Sequence, residues 1–241
     1  MESFLLERMK KLKGFFMIRG LLLLVCLMSF GLGYDERSGE YYAPQSTYHP
    51  LYEERRNRLL GIYGSYSKSD SDADLHIAGY ESQTHSLSEK QFGFGVQAGY
   101  LLSENHRILA NFEHHLKKNG FSYQVLTLGF AWTPKIPNTT DWRALLGLNA
   151  GLAQAKFDSG SFVIAESAMG SLDYMGFTYG VKAGAIYALG NGELEFGIQA
   201  RRLNFGEEKS SVNISGTESA TKLDLSQTSS IDVYVGYNFL F

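Results

Sequence analysis

The stretch Gln91-Phe92-Gly93-Phe94-Gly95-Val96-Gln97-Ala98-Gly99-Tyr100-Leu101-Leu102 is apolar at every even position and polar or very small at nearly every odd one. A period of two over this length is a β-strand with two unlike faces. One such strand would suit a soluble sandwich equally well, so the weight lies in its repetition. In 142–154, Trp142, Ala144, Leu146, Leu148, Ala150 and Leu152 oppose Arg143, Gly147, Asn149 and Gly151. In 175–189 the apolar set is Phe177, Tyr179, Val181, Ala183, Ala185, Tyr187 and Leu189. In 193–205, Leu194, Phe196, Ile198 and Ala200 oppose Glu193, Glu195, Gly197, Gln199 and Arg201. In 230–241, Ile231, Val233, Val235, Tyr237, Phe239 and Phe241 oppose Asp232, Tyr234, Gly236 and Asn238. Three less regular segments, 58–66, 107–116 and 121–133 (with a bulge expected near Gln124), bring the strands to eight.

The connections alternate in length. They are short after the second, fourth and sixth strands: Ser103-Glu104-Asn105-His106, the turn 134–141, and Gly190-Asn191-Gly192. After the first, fifth and seventh strands, 67–90, 155–174 and 206–229 read as long polar loops; only Lys117-Lys118-Asn119-Gly120 is tight on that side. Short turns at one end and long loops at the other are the asymmetry of a membrane β-barrel. The four prolines (Pro44, Pro50, Pro134, Pro137) avoid every strand, as ladder hydrogen bonding requires. Tyr100, Trp132, Trp142, Tyr187 and Phe241 fall on the apolar face at the short-turn ends, where they are expected to form an aromatic girdle at the lipid boundary. Trp132 and Trp142 flank one turn and are expected at one depth. Lipid cannot satisfy backbone N–H and C=O groups, so the sheet is expected to close, first strand against eighth.

The N-terminus explains how the chain reaches a membrane. Arg8, Lys10, Lys11, Lys13 and Arg19 precede an apolar run from Leu21 to Phe30, then Gly31-Leu32-Gly33. That is the layout of a cleaved signal peptide over 1–33, with Met9 an alternative start. The run is too short for a transmembrane helix, which needs about 20 residues. Cys26, with bulky Val25 before it, reads as an ordinary apolar residue of the signal. It is the sole cysteine of the 241 residues, which excludes a disulfide framework and a cysteine zinc site. After cleavage the chain carries 17 basic and 23 acidic residues, a net charge of −6, with no footprint for nucleic acid. Residues 34–57, with Tyr34, Tyr41, Tyr42, Tyr48 and Tyr52, are expected in the periplasm as a tether, with a partial plug or a short amphipathic helix as the alternative, and 58–241 as the barrel.

The inward faces hold the chemistry. Arg107, Arg143, Lys182 and Arg201 balance Glu113, Glu193, Glu195 and Asp232, and buried charges must be paired. A stiffening salt-bridge network is expected. The alternative is an ion gate in which Glu113 exchanges between Arg143 and Lys182. No metal or cofactor is expected: His114 and His115 are adjacent on a strand and point to opposite faces. Asp70, Asp72 and Asp74 lack the glycine and terminal glutamate of a calcium loop. Gly93-Phe94-Gly95-Val96-Gln97-Ala98 mimics a dinucleotide fingerprint with no helix after it. No catalytic set is expected: outward His114 has no serine two residues away on its face.

The strand count, and a last strand ending on Phe241 with Val235, Tyr237 and Phe239 at alternate positions, resemble the small eight-stranded barrels of outer-membrane protein A and X type over about 58–241. The resemblance implies an all-β, eight-stranded antiparallel up-and-down transmembrane barrel in the outer membrane. It also implies that Val235, Tyr237, Phe239 and Phe241 form the C-terminal signal read by the barrel-assembly machinery. Outer-membrane lipid and lipopolysaccharide are the expected partners. A structural or surface-interaction (adhesin-like) role through the long loops is expected, with an unspecified extracellular ligand. A narrow channel is the alternative, and a lipid A-modifying enzyme a more distant one.

Overall fold

The computed structural model describes residues 57–77, 83–158, 163–164, 167–168, 171–214 and 217–241. The expected signal peptide, and the segment that follows it as far as residue 56, lie outside the described residues. In chain order the strands are β1 (Arg58–Ile77), β2 (Gln83–Ser103), β3 (His106–Lys118), β4 (Phe121–Trp132), β5 (Trp142–Asp158), β6 (Val163–Ile164), β7 (Ser167–Ala168), β8 (Ser171–Leu189), β9 (Gly192–Asn204), β10 (Glu207–Ile214) and β11 (Thr217–Leu240). Eight of them, β1-β2-β3-β4-β5-β8-β9-β11, form an antiparallel wall that closes by pairing β1 with β11. β6 and β7 pair with each other, and β10 pairs with the first part of β11.

Closure follows the register without a break. From Lys68 the ladder passes through Ile231, Ala200, Val181, Leu148, Phe130, Ile108 and Tyr100 and returns to β1 at Arg58, ten residues below its start. A stagger of this kind tilts the strands by roughly 35–45° to the barrel axis. The seam is completed at its lower end by Arg58 N–H donating to the Phe241 carbonyl at 3.1 Å and Phe241 N–H to the Arg58 carbonyl at 3.0 Å.

Much of what reads as polar loop is strand. β1 and β2 stay paired as far as Leu75 opposite Gln83, β5 and β8 as far as Asp158 opposite Ser171, and β10–β11 as far as Ile214 opposite Thr217. The loss of the apolar face in 67–90 and 206–229 marks where the wall leaves an apolar surround. It does not mark where backbone pairing stops, since Ser, Asp and Thr satisfy a ladder as well as Val does. The long side of the barrel therefore projects as ribbons.

One further expectation is corrected. The β4–β5 ladder runs from Phe121 opposite Phe157 to Trp132 opposite Leu146 with no shift, so there is no bulge at Gln124; the irregularity lies between His115 and Lys118, beside the hairpin. Alternation looked broken because Phe121, Tyr123 and Val125 point inward and are themselves apolar. Of the two tryptophans that flank the next turn, Trp132 pairs with Leu146 and Trp142 with Tyr187. The turn between them is itself laddered, with a Lys135–Arg143 bridge and a 2.9 Å bond from Ala144 N–H to the Pro134 carbonyl. Asn119 and Gly120, at φ 48° and 84°, make the two-residue hairpin that Asn-Gly encodes.

The outer surface is apolar between two aromatic zones. Ile62 (62% exposed), Leu148 (66%), Ile198 (57%) and Val235 (54%) lie in the band. Replacing Ile62, midway between Arg58 and Tyr66, by Arg is expected to destabilise the folded protein in lipid vesicles by about 2–4 kcal/mol. Urea unfolding read by tryptophan fluorescence measures this; an unchanged midpoint would mean that this face is not in hydrocarbon.

Candidate functional site

β3 and β9 are four strands apart in a ring of eight, so they face each other across the lumen. Two ion pairs join them. Toward the short-turn end Arg107 forms a two-pronged pair with Glu193, through Nη1 to Oε1 and through Nη2 to Oε2 at 3.3 Å. Further along, Arg201 Nη2 meets Glu113 at 2.5 Å and Asp232 at 2.6 Å. Lys182 binds Glu195 at 2.6 Å on the neighbouring strand and lies 4.8 Å from the Tyr234 ring centroid. All of these side chains are buried.

Neutral groups complete each layer. Asn238 Nδ2 donates to Glu193 Oε1 (3.0 Å) and Glu195 Oε2 (3.1 Å), while Gln97 Nε2 donates to Glu195 Oε2 (3.1 Å) and to Asn238 Oδ1 (2.5 Å). In the upper layer Ser65 donates to Glu113 at 2.8 Å, Ser230 donates to Asp232 at 2.6 Å, and His115 Nε2 lies 2.9 Å from Glu113. The Tyr123 hydroxyl on β4 reaches across to Ser67 at 3.0 Å on β1 and Ser230 at 3.4 Å on β11. Its ring stacks on His115 at 4.0 Å. The lumen is thus crossed by bonded side chains at three levels.

Apolar side chains pack among the lower charges and above the upper ones. Near the short turns, Leu59, Leu109, Ala131, Leu145, Ile186 and Tyr234 come from six wall strands and form one packed cluster. Near the ribbons, Phe121, Phe157, Tyr174, Leu203 and Phe205 are buried, with Phe121 6.4 Å from Phe157. Between them, a cavity of about 10 Å³ lined by Tyr63, Gln97, Lys182, Glu195 and Tyr234 has room for about one water.

Seven of the eight inward charges named from sequence meet in these layers. The eighth, Arg143, is buried apart from them, donating to the carbonyls of Glu104 (2.5 Å) and Thr133 (3.1 Å) and so tying two short turns together. Glu113 is paired with Arg201 and Lys182 with Glu195, so the partners named for Glu113 in the alternative gate, Arg143 and Lys182, are not the ones it holds here. Sequence reasoning missed His115, Tyr123, Gln97 and Asn238. Gln97 and Asn238 lie on inward positions already identified, and the short polar chain among charges was the available signal. His115 and Tyr123 gave none beyond their parity. Glu113, His115 and Asp232 each offer a ligand atom within 4.8 Å of the others, but the Arg201 guanidinium fills the space a cation would need.

On the outside, Trp142 packs on Tyr187 and Phe196 at 5.0 and 5.8 Å, and Asn57 donates to the Tyr100 hydroxyl at 2.7 Å. Trp132 and Phe241 are exposed, and Tyr237 lies 4.8 Å from Phe239. Toward the ribbons a second aromatic set includes Tyr66 with Phe92, 5.0 Å apart, and Phe177 with Tyr179, 6.5 Å apart. Beyond it Asp70 accepts from Ser88 at 2.6 Å and pairs with Lys68 at 3.1 Å; the hydroxyl first, and then the ammonium, hold its carboxyl below the ordinary range. His114 points outward beside Phe94, with Phe94 and Gln124 as its register partners, so neither neighbour offers a nucleophile or an acid.

The class is defined by this geometry: a closed, eight-stranded antiparallel β-barrel with a paired-charge lumen and an apolar exterior. No protein-family model and no curated protein matches the sequence. Among solved structures the chain is similar to Neisserial surface protein A, at 15% identity over 76% of this chain and 97% of that one, with a TM-score of 0.48. It is similar to the outer membrane protein OprG from Pseudomonas aeruginosa, at 16% identity, 76% and 96% coverage and a TM-score of 0.48. It is also similar to Ail, the attachment invasion locus protein of Yersinia pestis, at 17% identity, 76% and 99% coverage and a TM-score of 0.36. These are likenesses of fold; closure with eight strands rests on this chain's own register.

Removing one member of a buried pair strands the other charge. Arg107→Ala is expected to destabilise the barrel by roughly 3–5 kcal/mol, whereas Arg107→Met combined with Glu193→Leu costs much less. Urea midpoints of the single and double variants in lipid vesicles test this; additive losses would show that the two groups do not act as a pair.

Proposed function

We propose that the chain is an integral β-barrel of a bacterial outer membrane with a structural or surface-interaction role, adhesin-like, exerted through the ribbons at its long-connection end. In this reading the ribbons face outward and the short turns face the periplasm. Tyr100, Trp132, Trp142, Tyr187 and Phe241 sit at the inner lipid boundary, Tyr66, Phe92, Phe177 and Tyr179 at the outer one. Outward Val235, Tyr237, Phe239 and Phe241 serve assembly. Residues 1–33 are removed on export and 34–57 form a periplasmic segment. Outer-membrane lipid is the standing partner; the ribbon ligand has no chemical signature in the described side chains.

The observation that carries the choice against a channel is the filling of the lumen. Eight strands leave an interior that side chains can fill, and here Arg107–Glu193, Arg201–Glu113 and Tyr123–Ser230 each bridge opposite walls. An ion would have to part three sets of bonds. An enzymatic role has less support, since outward His114 has neither nucleophile nor acid at its register positions.

Planar-bilayer recording is expected to give no steady conductance for the folded protein, and none on Glu113→Gln. A steady conductance that changes on Glu113→Ala or Lys182→Ala would replace this reading with the channel. Altered lipid A masses in expressing cells would replace it with the enzyme.

A further inference from the structure

The outer wall is interrupted above its middle by an open apolar groove of about 600 Å³ bordered by Leu148, Tyr179, Val181, Ala200 and Ile231. Its origin is local: Ala200 stands in register between Val181 and Ile231, so a methyl group lies between two branched side chains. Two residues further toward the ribbons the same strands place Arg202 between Tyr179 and Ser229, with Arg202 and Ser229 both exposed on the outer surface. We propose that this groove seats a phosphorylated acyl lipid, one acyl chain lying over Ala200 and the headgroup phosphate meeting Arg202 and Ser229.

The inference deepens the outer-membrane reading and rests on it. A guanidinium on the outer wall of a barrel is tolerated only near the headgroups, and Arg202 stands level in register with Tyr179 of the ribbon-side aromatic set. Guanidinium geometry suits a phosphate's paired oxygens, and the Ser229 hydroxyl can donate a further bond. Lys68, opposite Ile231 on the other side of the groove, is neutralised by its pair with Asp70, so Arg202 is the cation the seat relies on. Beyond Ser229 the same row carries Asp70, whose carboxylate is engaged by Ser88 and Lys68. A shallow apolar trough with a cation and a hydroxyl at its headgroup end complements an anionic lipid of the facing leaflet rather than a neutral one.

Native mass spectrometry of the full-length folded protein in detergent tests this, titrated with diphosphoryl lipid A and with its dephosphorylated form. Heat-modifiable gel mobility checks each variant's fold. Arg202→Gln is expected to weaken diphosphoryl lipid A at least tenfold and to leave the dephosphorylated form unchanged, with Arg202→Lys retaining most of the binding. Ala200→Leu, which fills the groove from the outside without touching the lumen, is expected to weaken both lipids. Wild-type affinity for diphosphoryl lipid A in Arg202→Gln overturns the phosphate seat, and wild-type affinity for both lipids in Ala200→Leu overturns the acyl seat. A wild-type protein that stays folded and monomeric without detergent would instead overturn the membrane reading itself.

Discussion

The charges that β3 and β9 present to each other are the constraint on which the barrel depends. From the short-turn end upward β3 reads Arg107 then Glu113, and β9 reads Glu193 then Arg201. The two strands run in the same direction across the lumen, so each cation meets an anion at its own height. Burying four such groups is costly, and the attraction within each pair does little more than offset what the ions lose on leaving water. Their physical effect is selection. A closure with another stagger slides the β3 charges past those of β9 and leaves ions unpaired in a confined space, which is far worse than pairing them. A slip of one residue would also turn Arg107 and Glu113 out into the apolar surround.

That selection explains why the wall was legible in sequence. Both faces of each strand are under strong and opposite demands: hydrocarbon on one side, a narrow polar lumen on the other. The demands appear as the clean alternation of 91–102, 142–154 and 230–241. Alternation weakened wherever one demand lapsed. In β4 the lumen turns apolar at Phe121, Tyr123 and Val125, so both faces look alike and a regular strand resembled a bulged one. In β1 and β11 the outer demand lapses beyond Lys68 and Ser229, and continuing ladders looked like loops.

The charge inventory was equally legible, its wiring less so. Parity alone places Arg107, Glu113, Lys182 and Asp232 inside. Which cation meets which anion depends on who stands across the ring, and that follows from closure and stagger, neither of which is a local property. Arg143 shows the limit: it has the parity of a lumen charge, yet its place in the second residue of β5 brings it to the carbonyls of two short turns. His115 and Tyr123 show it from the other side, since a ring stacked against a ring across strands has no signature in either segment.

The filling of the lumen also restricts where specificity can reside. The interior has side chains bonded to opposite walls, so the described side chains of the lumen are already committed to one another. The middle of the outer wall must stay apolar for the same reason that the sheet must close. What remains free to vary is the region where those demands end: the ribbons, and the rim where Arg202, Lys68 and Asp70 emerge beside Tyr179 and Ile231. In the proposed reading recognition falls to this edge of the fold, and a cation standing at the head of an apolar trough is the kind of feature that the edge leaves room for.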